Sequence, residues 1–328
     1  MNVKRWVALG VALLLFVTSG IVTLGMQNFG QDFEQMVSPD RQFSERVIEQ
    51  GTVPGRIAVI QVEGMIQDGG AGGLFSVGYD HRQTLRQLEY AAESTDIYGV
   101  ILQVNTPGGG VVESDELHNR IVAIQEEFDK PVYAVMGGQA ASGGYYISAP
   151  ADKIYANAQT FTGSIGVIIQ SLNVAGLAEE WGVSLETFTS GEFKDILSPT
   201  KEVTDDEREL LNEIVMDSYE QFVDVVDNGR ENLSRDEVYE LADGRIFTGN
   251  QAVENGLVDE IGNRDAAIED MIEELGRGDL SVVEFGGAAG FASLAGLGSQ
   301  VLPGSEARLI ENVLNANAGA RVMYLYTN

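Results

Sequence analysis

YGVILQVNTPGGG, residues 98–110, is a β-branched run that breaks on a proline and three glycines. A short apolar run bounded by turn residues reads as a strand buried on both faces. Glycines at its end let the backbone turn tightly and let another backbone come close. PVYAVMGGQAASGGYYISAP (131–150) has the same form: a strand, a glycine turn, then an apolar helix opened by Ser142 and stopped at Pro150. RIAVIQVEG (56–64) and DKIYA (152–156) are further strands, and TGSIGVI (162–168) follows. Helical stretches at 82–93 and 115–128, the second with Ser114 as candidate cap, separate them. Alternating strands and helices imply an α/β fold with a largely parallel sheet.

Further along, acidic amphipathic helices occupy 205–228 and 234–242, and another helix runs from 264 to 275. GGAGGLFSVGYD (69–80) is a glycine-rich loop. From residue 279 the chain turns Gly/Ala-rich without a period, and ends in an apolar patch, VMYLY (322–326). The polar stretch 32–55, with Pro39 and Pro54, reads as a linker. The expected organisation is therefore an N-terminal segment and anchor at 1–31, a linker at 32–55, a folded domain at 56–278 and a flexible tail at 279–328.

The anchor is read from composition. Lys4 and Arg5 precede 21 apolar-rich residues, Trp6–Met26, with no charge before Gln31. At about 1.5 Å per residue such a helix spans the roughly 30 Å hydrocarbon core of a bilayer. It exceeds the apolar region of a cleaved signal peptide. The basic pair places the N-terminus in the cytoplasm and everything after residue 31 outside.

Charge narrows the partners. Twenty basic against 50 acidic residues give a net charge of −30. Such a surface repels nucleic acid. With five lysines against fifteen arginines, it points to a halophilic, archaeal source, where salt screens self-repulsion. There is no cysteine, which excludes disulfides and thiol catalysis. Acidic pairs such as Asp205-Asp206 lack ligand-loop spacing and read as a solvated face, so neither metal nor cofactor is expected. NLS (232–234) fits a glycosylation sequon, but Ser234 with Glu237 also forms a capping box.

Ser142 sits where a nucleophile would. It lies between a strand and a helix N-terminus, whose N–H groups are unpaired, and its neighbours are the smallest residues available. The Gly143 amide is one candidate oxyanion donor, and NTPGGG (105–110) is the natural source of a second. The histidines, His81 and His118, both precede Ser142 and read as ordinary surface residues, so a Ser-His-Asp triad does not follow.

NTPGGG followed by GGQAASGG resembles the Clp protease/crotonase superfamily, with its repeated ββα units. More narrowly, the chain resembles the signal peptide peptidase SppA family of membrane-bound Ser-Lys serine proteases. TSGEFKDILSPT (189–200) is similar to that family's lysine segment, and Lys194 lies 52 residues after Ser142. The resemblance spans about residues 55–265. It implies that Ser142 is the nucleophile, Lys194 the general base and Ser164, in TGSIGV, the residue that orients the lysine. It also implies Gly109 and Gly143 as the oxyanion hole. A lysine base works only as the free amine, so the mechanism calls for a dry pocket and for Asp195 to point away. The resemblance further implies a homo-oligomer whose active sites are completed across subunit contacts, acting on signal peptides and other apolar peptides. The terminal patch is a candidate occupant of the groove, as a tethered, self-processed peptide. Other functions open to the same sequence are a membrane-protein-processing protease with stomatin-like partners, a non-catalytic peptide-binding scaffold and, less compatibly with an external domain, an acyl-CoA enzyme.

Overall fold

The apolar runs pair side by side. The computed structural model describes residues 43–68, 79–286 and 322–326. In chain order its elements are β1 (Ser44–Glu49), β2 (Arg56–Glu63), α1 (His81–Glu93), β3 (Ile97–Thr106), β4 (Gly108–Gly110), α2 (Val111–Glu126) and β5 (Val132–Ala141). Then come α3 (Gly143–Ser148), β6 (Lys153–Ala156), β7 (Phe161–Gly163), β8 (Ile168–Ile169), α4 (Ala175–Glu180), α5 (Asp205–Gly229) and α6 (Arg235–Leu241). The last are β9 (Ile246–Thr248), α7 (Gly249–Glu254), β10 (Glu260–Ile261), α8 (Arg264–Leu275), β11 (Ser281–Gly286) and β12 (Val322–Leu325).

The main sheet runs β1-β11-β2-β3-β5-β6-β10, with β7 on the far end of β5 and β9 beyond it. From β11 to β10 every pairing is parallel; β1 on β11 and β9 on β7 are antiparallel. A parallel sheet is covered on both faces, which is why its strands read as continuous apolar runs. Alternation along β2 shows the two faces. Ala58, Ile60 and Val62 pack in the larger core with Leu88, Leu117, Tyr146 and Phe222. Ile57 and Val59 face Ile268 and Met271 of α8 on the other side.

Local chemistry sets the helix ends. Thr204 with Glu207, Ser234 with Glu237 and Thr248 with Gln251 form capping boxes at α5, α6 and α7. At the sequon, Asn232 Nδ2 also donates to the Gly256 carbonyl. Lys130 Nζ donates to the carbonyls of Ala91, Ala92 and Ser94, closing the C-terminus of α1.

Three expectations are corrected. The domain does not stop at residue 278: β11 is an inner strand between β1 and β2, so part of the expected linker and part of the expected tail belong to the sheet. Six residues, SVVEFG, were too short to show against the Gly/Ala-rich sequence that follows. Helix α2 starts at Val111, directly after the glycines, so Ser114 is buried inside its first turn and is no cap. His81 is buried, bonded to Tyr79 and Glu116, and is no surface residue. The membrane anchor expected at 6–26 lies outside the described residues. Among those described, no helix is long and apolar enough to cross a membrane.

The corrected boundary has a testable consequence. Phe285 is 2% exposed, so Phe285→Ala is expected to destabilise the fold by about 3–5 kcal/mol in urea unfolding. Val47→Ala, at a residue 54% exposed on the edge strand, is expected to change stability by no more than about 0.5 kcal/mol.

Candidate active site

Strand β5 delivers Ser142 to the centre of the site. The ladder to β7 continues one residue past the strand, with the Ser142 N–H donating to the Gly163 carbonyl at 2.7 Å. The chain then reverses. Ser142 has φ 53° and ψ −116°, a conformation rare for a residue with a Cβ. Such strain persists only where surrounding structure enforces it, and it collects at functional sites. The Ser142 carbonyl accepts from Tyr145 and Tyr146 and so starts α3. The side chain is 1% exposed, and its Oγ is buried with no hydrogen-bond partner. Leaving a buried hydroxyl unpaired costs about 1–3 kcal/mol, so this one is held for another use.

The glycine turn after β3 supplies the opposite wall. Ile66 donates to Gly108 O and accepts from Gly110 N, which leaves the N–H and C=O of Gly109 facing the other way. Thr106 Oγ1 accepts from the Gly108 N–H and fixes the turn. Glycine is required here twice. A Cβ on Gly108, at φ +99°, would stand 2.6 Å from Gly143 N. A Cβ on Gly109 would stand 1.8 Å from Ile66 O. Gly109 N in turn lies 3.1 Å from where a Gly143 Cβ would be. The two candidate oxyanion amides therefore sit next to each other, beside the serine.

The groove between these walls is filled by the chain's own C-terminal strand. β12 runs antiparallel to β4, with Tyr324 opposite Gly109, and on its other edge pairs β8 through Met323 and Ile168. Tyr326 N donates to Pro107 O at 2.9 Å. In an antiparallel ladder the hydrogen-bonded pairs alternate, so Tyr324 and Gly109 also form one. The Gly109 N–H is thereby directed at the Tyr324 carbonyl. That same oxygen lies 2.1 Å from the point where a Gly108 Cβ would stand. A backbone carbonyl of β12 thus lies against the glycine turn, on the Gly109 amide.

The other predicted residues are placed differently. Ser164 directly follows Gly163, with φ 50°, and is nearly buried; its N–H donates to Arg245 O. Lys194 lies on an exposed, turn-rich segment. Within one chain it is not brought to Ser142, whose Oγ has no partner. Lys130, Lys153 and Lys201 all have partners, whereas the Lys194 amine makes no hydrogen bond or ion pair among the described residues. Asp195, its neighbour, is engaged by Lys201 at 2.7 Å. The chain leading up to Lys194 carries exposed apolar side chains, among them Trp181 at 75% and Phe188 at 94% exposure, with Leu185 and Phe193. Of the histidines, His118 packs edge-on against Tyr146, and burial lowers its pKa. No group of acidic residues or histidines that could hold a metal ion occurs among the described residues.

Sequence reasoning missed Ile66, Tyr146, Phe222 and the carbonyl of Ser218, which shape the groove. Tyr146 and Phe222 sit in helical patterns as ordinary core residues, and a backbone carbonyl has no sequence signal.

Comparison with known proteins places the site in context. Residues 125–277 match the model of peptidase family S49. A protein of Enterococcus faecium assigned as a signal peptide peptidase SppA is 42% identical over 306 residues, covering 89% of this chain and 88% of that one. Protease 4 of Haemophilus influenzae is 34% identical over 256 residues, 75% of this chain and 38% of that longer one. The chloroplastic serine protease SPPA of Arabidopsis thaliana is 33% identical over 187 residues, 57% of this chain and 27% of its own length.

Gly108→Ala tests the geometry of the groove. Its methyl would meet the Tyr324 carbonyl oxygen and demand a strained φ. The expected outcome is release of residues 322–326 from a chain that stays folded. Hydrogen exchange at the Tyr326 amide should then quicken by about tenfold or more.

Proposed function

The chain belongs to peptidase family S49 and is a serine peptidase, and on that premise we propose that it cleaves apolar peptides, signal peptides among them, with Ser142 and Lys194. One observation carries the reading. A peptide strand pairs with the glycine turn, its Tyr324 carbonyl opposite the Gly109 amide, and the Gly143 amide and a buried serine hydroxyl without a hydrogen-bond partner lie beside that turn.

The chemistry follows from that placement. Neutral Lys194 takes the proton of Ser142, and Oγ attacks the substrate carbonyl carbon. Gly109 and Gly143 N–H groups hold the developing oxyanion, already positioned and needing no rearrangement. The lysine returns its proton to the leaving amine, and water then releases the acyl group from Ser142. Ser164, beside the Gly163 carbonyl that anchors Ser142, orients the lysine amine.

Lys194 reaches the serine from a second copy of the chain. An exposed lysine is a poor base, and desolvation is what would free its amine. The exposed Trp181, Leu185, Phe188 and Phe193 that precede it in the chain are apolar surface of the kind that a partner covers. A homo-oligomer built on this segment would dry the lysine and complete each site. We read the sheet as the Clp protease/crotonase type. We assign residues 6–26 as the membrane anchor, with the catalytic domain outside the cytoplasmic membrane. High salt supports the reading physically, since it screens the many carboxylates that would otherwise stabilise the ammonium.

The test is hydrolysis of an apolar fluorogenic peptide by the full chain in high salt and detergent. Ser142→Ala and Lys194→Ala are each expected to lower kcat by about a thousandfold or more, at unchanged thermal stability. The wild-type rate should climb with pH, as a free-amine base requires. Mixing the two inactive variants during assembly should restore part of the activity if the dyad spans two copies. Survival of activity in Lys194→Ala would assign the base elsewhere. Tight peptide binding without hydrolysis in the assembled wild type would make the protein a peptide-binding scaffold.

A further inference from the structure

Asp195 follows Lys194 directly, and a carboxylate facing a lysine base would hold it as ammonium. The fold gives that carboxylate another partner. Lys201 Nζ donates to Asp195 Oδ1 at 2.7 Å and to Glu207 Oε1 at 2.8 Å. Glu207 is buried at the start of α5, where its second oxygen, Oε2, accepts from the Thr204 N–H at 2.9 Å. The bridge therefore stands on a helix cap. Hydrogen bonds to Asp195 and then to Glu207 raise the pKa of Lys201 above the ordinary lysine value. Lys201 in turn holds the Glu207 carboxyl below its ordinary value. Both stay ionised through the neutral and mildly alkaline range.

Backbone contacts fix where the bridge points. From Gly191 to Lys201 the chain runs through tight turns: Lys194 N donates to Gly191 O, Ser198 N to Asp195 O and Lys201 N to Ser198 O. Leu197 takes φ 60°, rare for a bulky residue. Surrounding groups enforce it. Ser171 Oγ donates to the Leu197 carbonyl at 3.2 Å, and Asn173 Nδ2 to the Lys201 carbonyl at 2.7 Å. The other acids of the stretch, Glu192 and Glu202, are exposed, and Arg208 of α5 lines a small cavity with Leu197 and Ser198. Asp195, adjacent to Lys194, is the acid of this stretch that has been given a cation.

We infer that Lys201 is a positioning residue for the lysine base: by bridging Asp195 to Glu207 it withholds the Asp195 carboxylate from the Lys194 amine. For its bearing on catalysis the inference rests on the reading of Lys194 as base; for the state of the amine it rests on the bridge alone. Without the Lys201 ammonium, two carboxylates would stand uncompensated near Lys194, and its amine would be freed only at higher pH.

Competitive labelling of amines with acetic anhydride, read by mass spectrometry, follows the free Lys194 amine against pH with no catalysis involved. It is run on the full chain carrying Ser142→Ala, in the salt and detergent of the hydrolysis assay. Adding Lys201→Met is expected to raise the half-labelling pH of Lys194 by about 0.5 or more, a loss of about threefold in labelling rate at fixed pH. Lys201→Gln, which keeps a donor for Glu207, replaces it if the Met variant does not fold. Lys201→Arg keeps the cation, and Lys201→Met with Asp195→Asn restores the net charge of the cluster. Both are expected to return the half-labelling pH to within about 0.2 of its starting value. The double variant lacks the same bridge as the single one, so a merely structural bridge would move both alike. In the active chain the alkaline rise of kcat/KM should shift and recover in parallel. An unmoved half-labelling pH in a folded Lys201→Met or Lys201→Gln chain, or a shift that Asp195→Asn does not reverse, overturns the inference. A shifted labelling curve beside an unshifted rate profile keeps Lys201's hold on the amine and removes Lys194 as the base.

Discussion

Close approach of two bare backbones governs this molecule. The turn at Gly108–Gly110 and the reversal at Ser142–Gly143 come so near that a single Cβ on Gly108 would stand 2.6 Å from Gly143 N. Everything else at the site is consistent with holding that approach. Ile66 bonds one edge of the glycine turn and so turns the Gly109 amide into the groove. The parallel ladder from β5 to β7 carries Ser142 to its place and pins its N–H on Gly163. The left-handed φ of Ser142 is what the pinning costs locally, and the large apolar core behind β3 and β5 can sustain it.

Charge and burial divide the work between surface and site. The chain carries 50 acidic residues, yet the groove is formed by glycine amides, aromatic rings and an apolar strand. That separation matters for a lysine base, because any facing carboxylate would hold it as ammonium. Asp195, the nearest in sequence, is occupied by Lys201, and Lys201 is also held by Glu207. Lys194 alone among the described lysines keeps an unengaged amine, on a segment rich in exposed aromatic and aliphatic side chains. A single chain therefore presents a buried serine hydroxyl without a hydrogen-bond partner and, on an exposed segment, an unengaged lysine amine.

The C-terminal strand gives the groove its chemical description. Because β12 joins β4 and β8 into a small sheet, it adds to existing edges by main-chain bonds, which accept many sequences. Selectivity must then come from side chains that leave the strand, and Tyr324 is the one that descends into the core. The patch VMYLY was visible in the sequence as an apolar end, and as a candidate for the groove. Which of its two tyrosines enters the core follows only from the register.

The sequence by itself determined the alternating α/β order, the buried strands, the capping box at Ser234, and the position of Ser142 between strand and helix. These are read from periods and neighbours, which act over a few residues. Tertiary structure decided the rest. It put 281–286 inside the sheet, buried His81 and Ser114, set Gly109 beside Gly143, and lined a pocket with Tyr146, Phe222 and a helix carbonyl. Those depend on pairings between segments tens to hundreds of residues apart, where the partner, not the local pattern, fixes what a residue does. Lys194 and Ser142 are the extreme case: among the described residues neither the lysine amine nor the serine Oγ has a partner, so one chain's fold does not bring the two together.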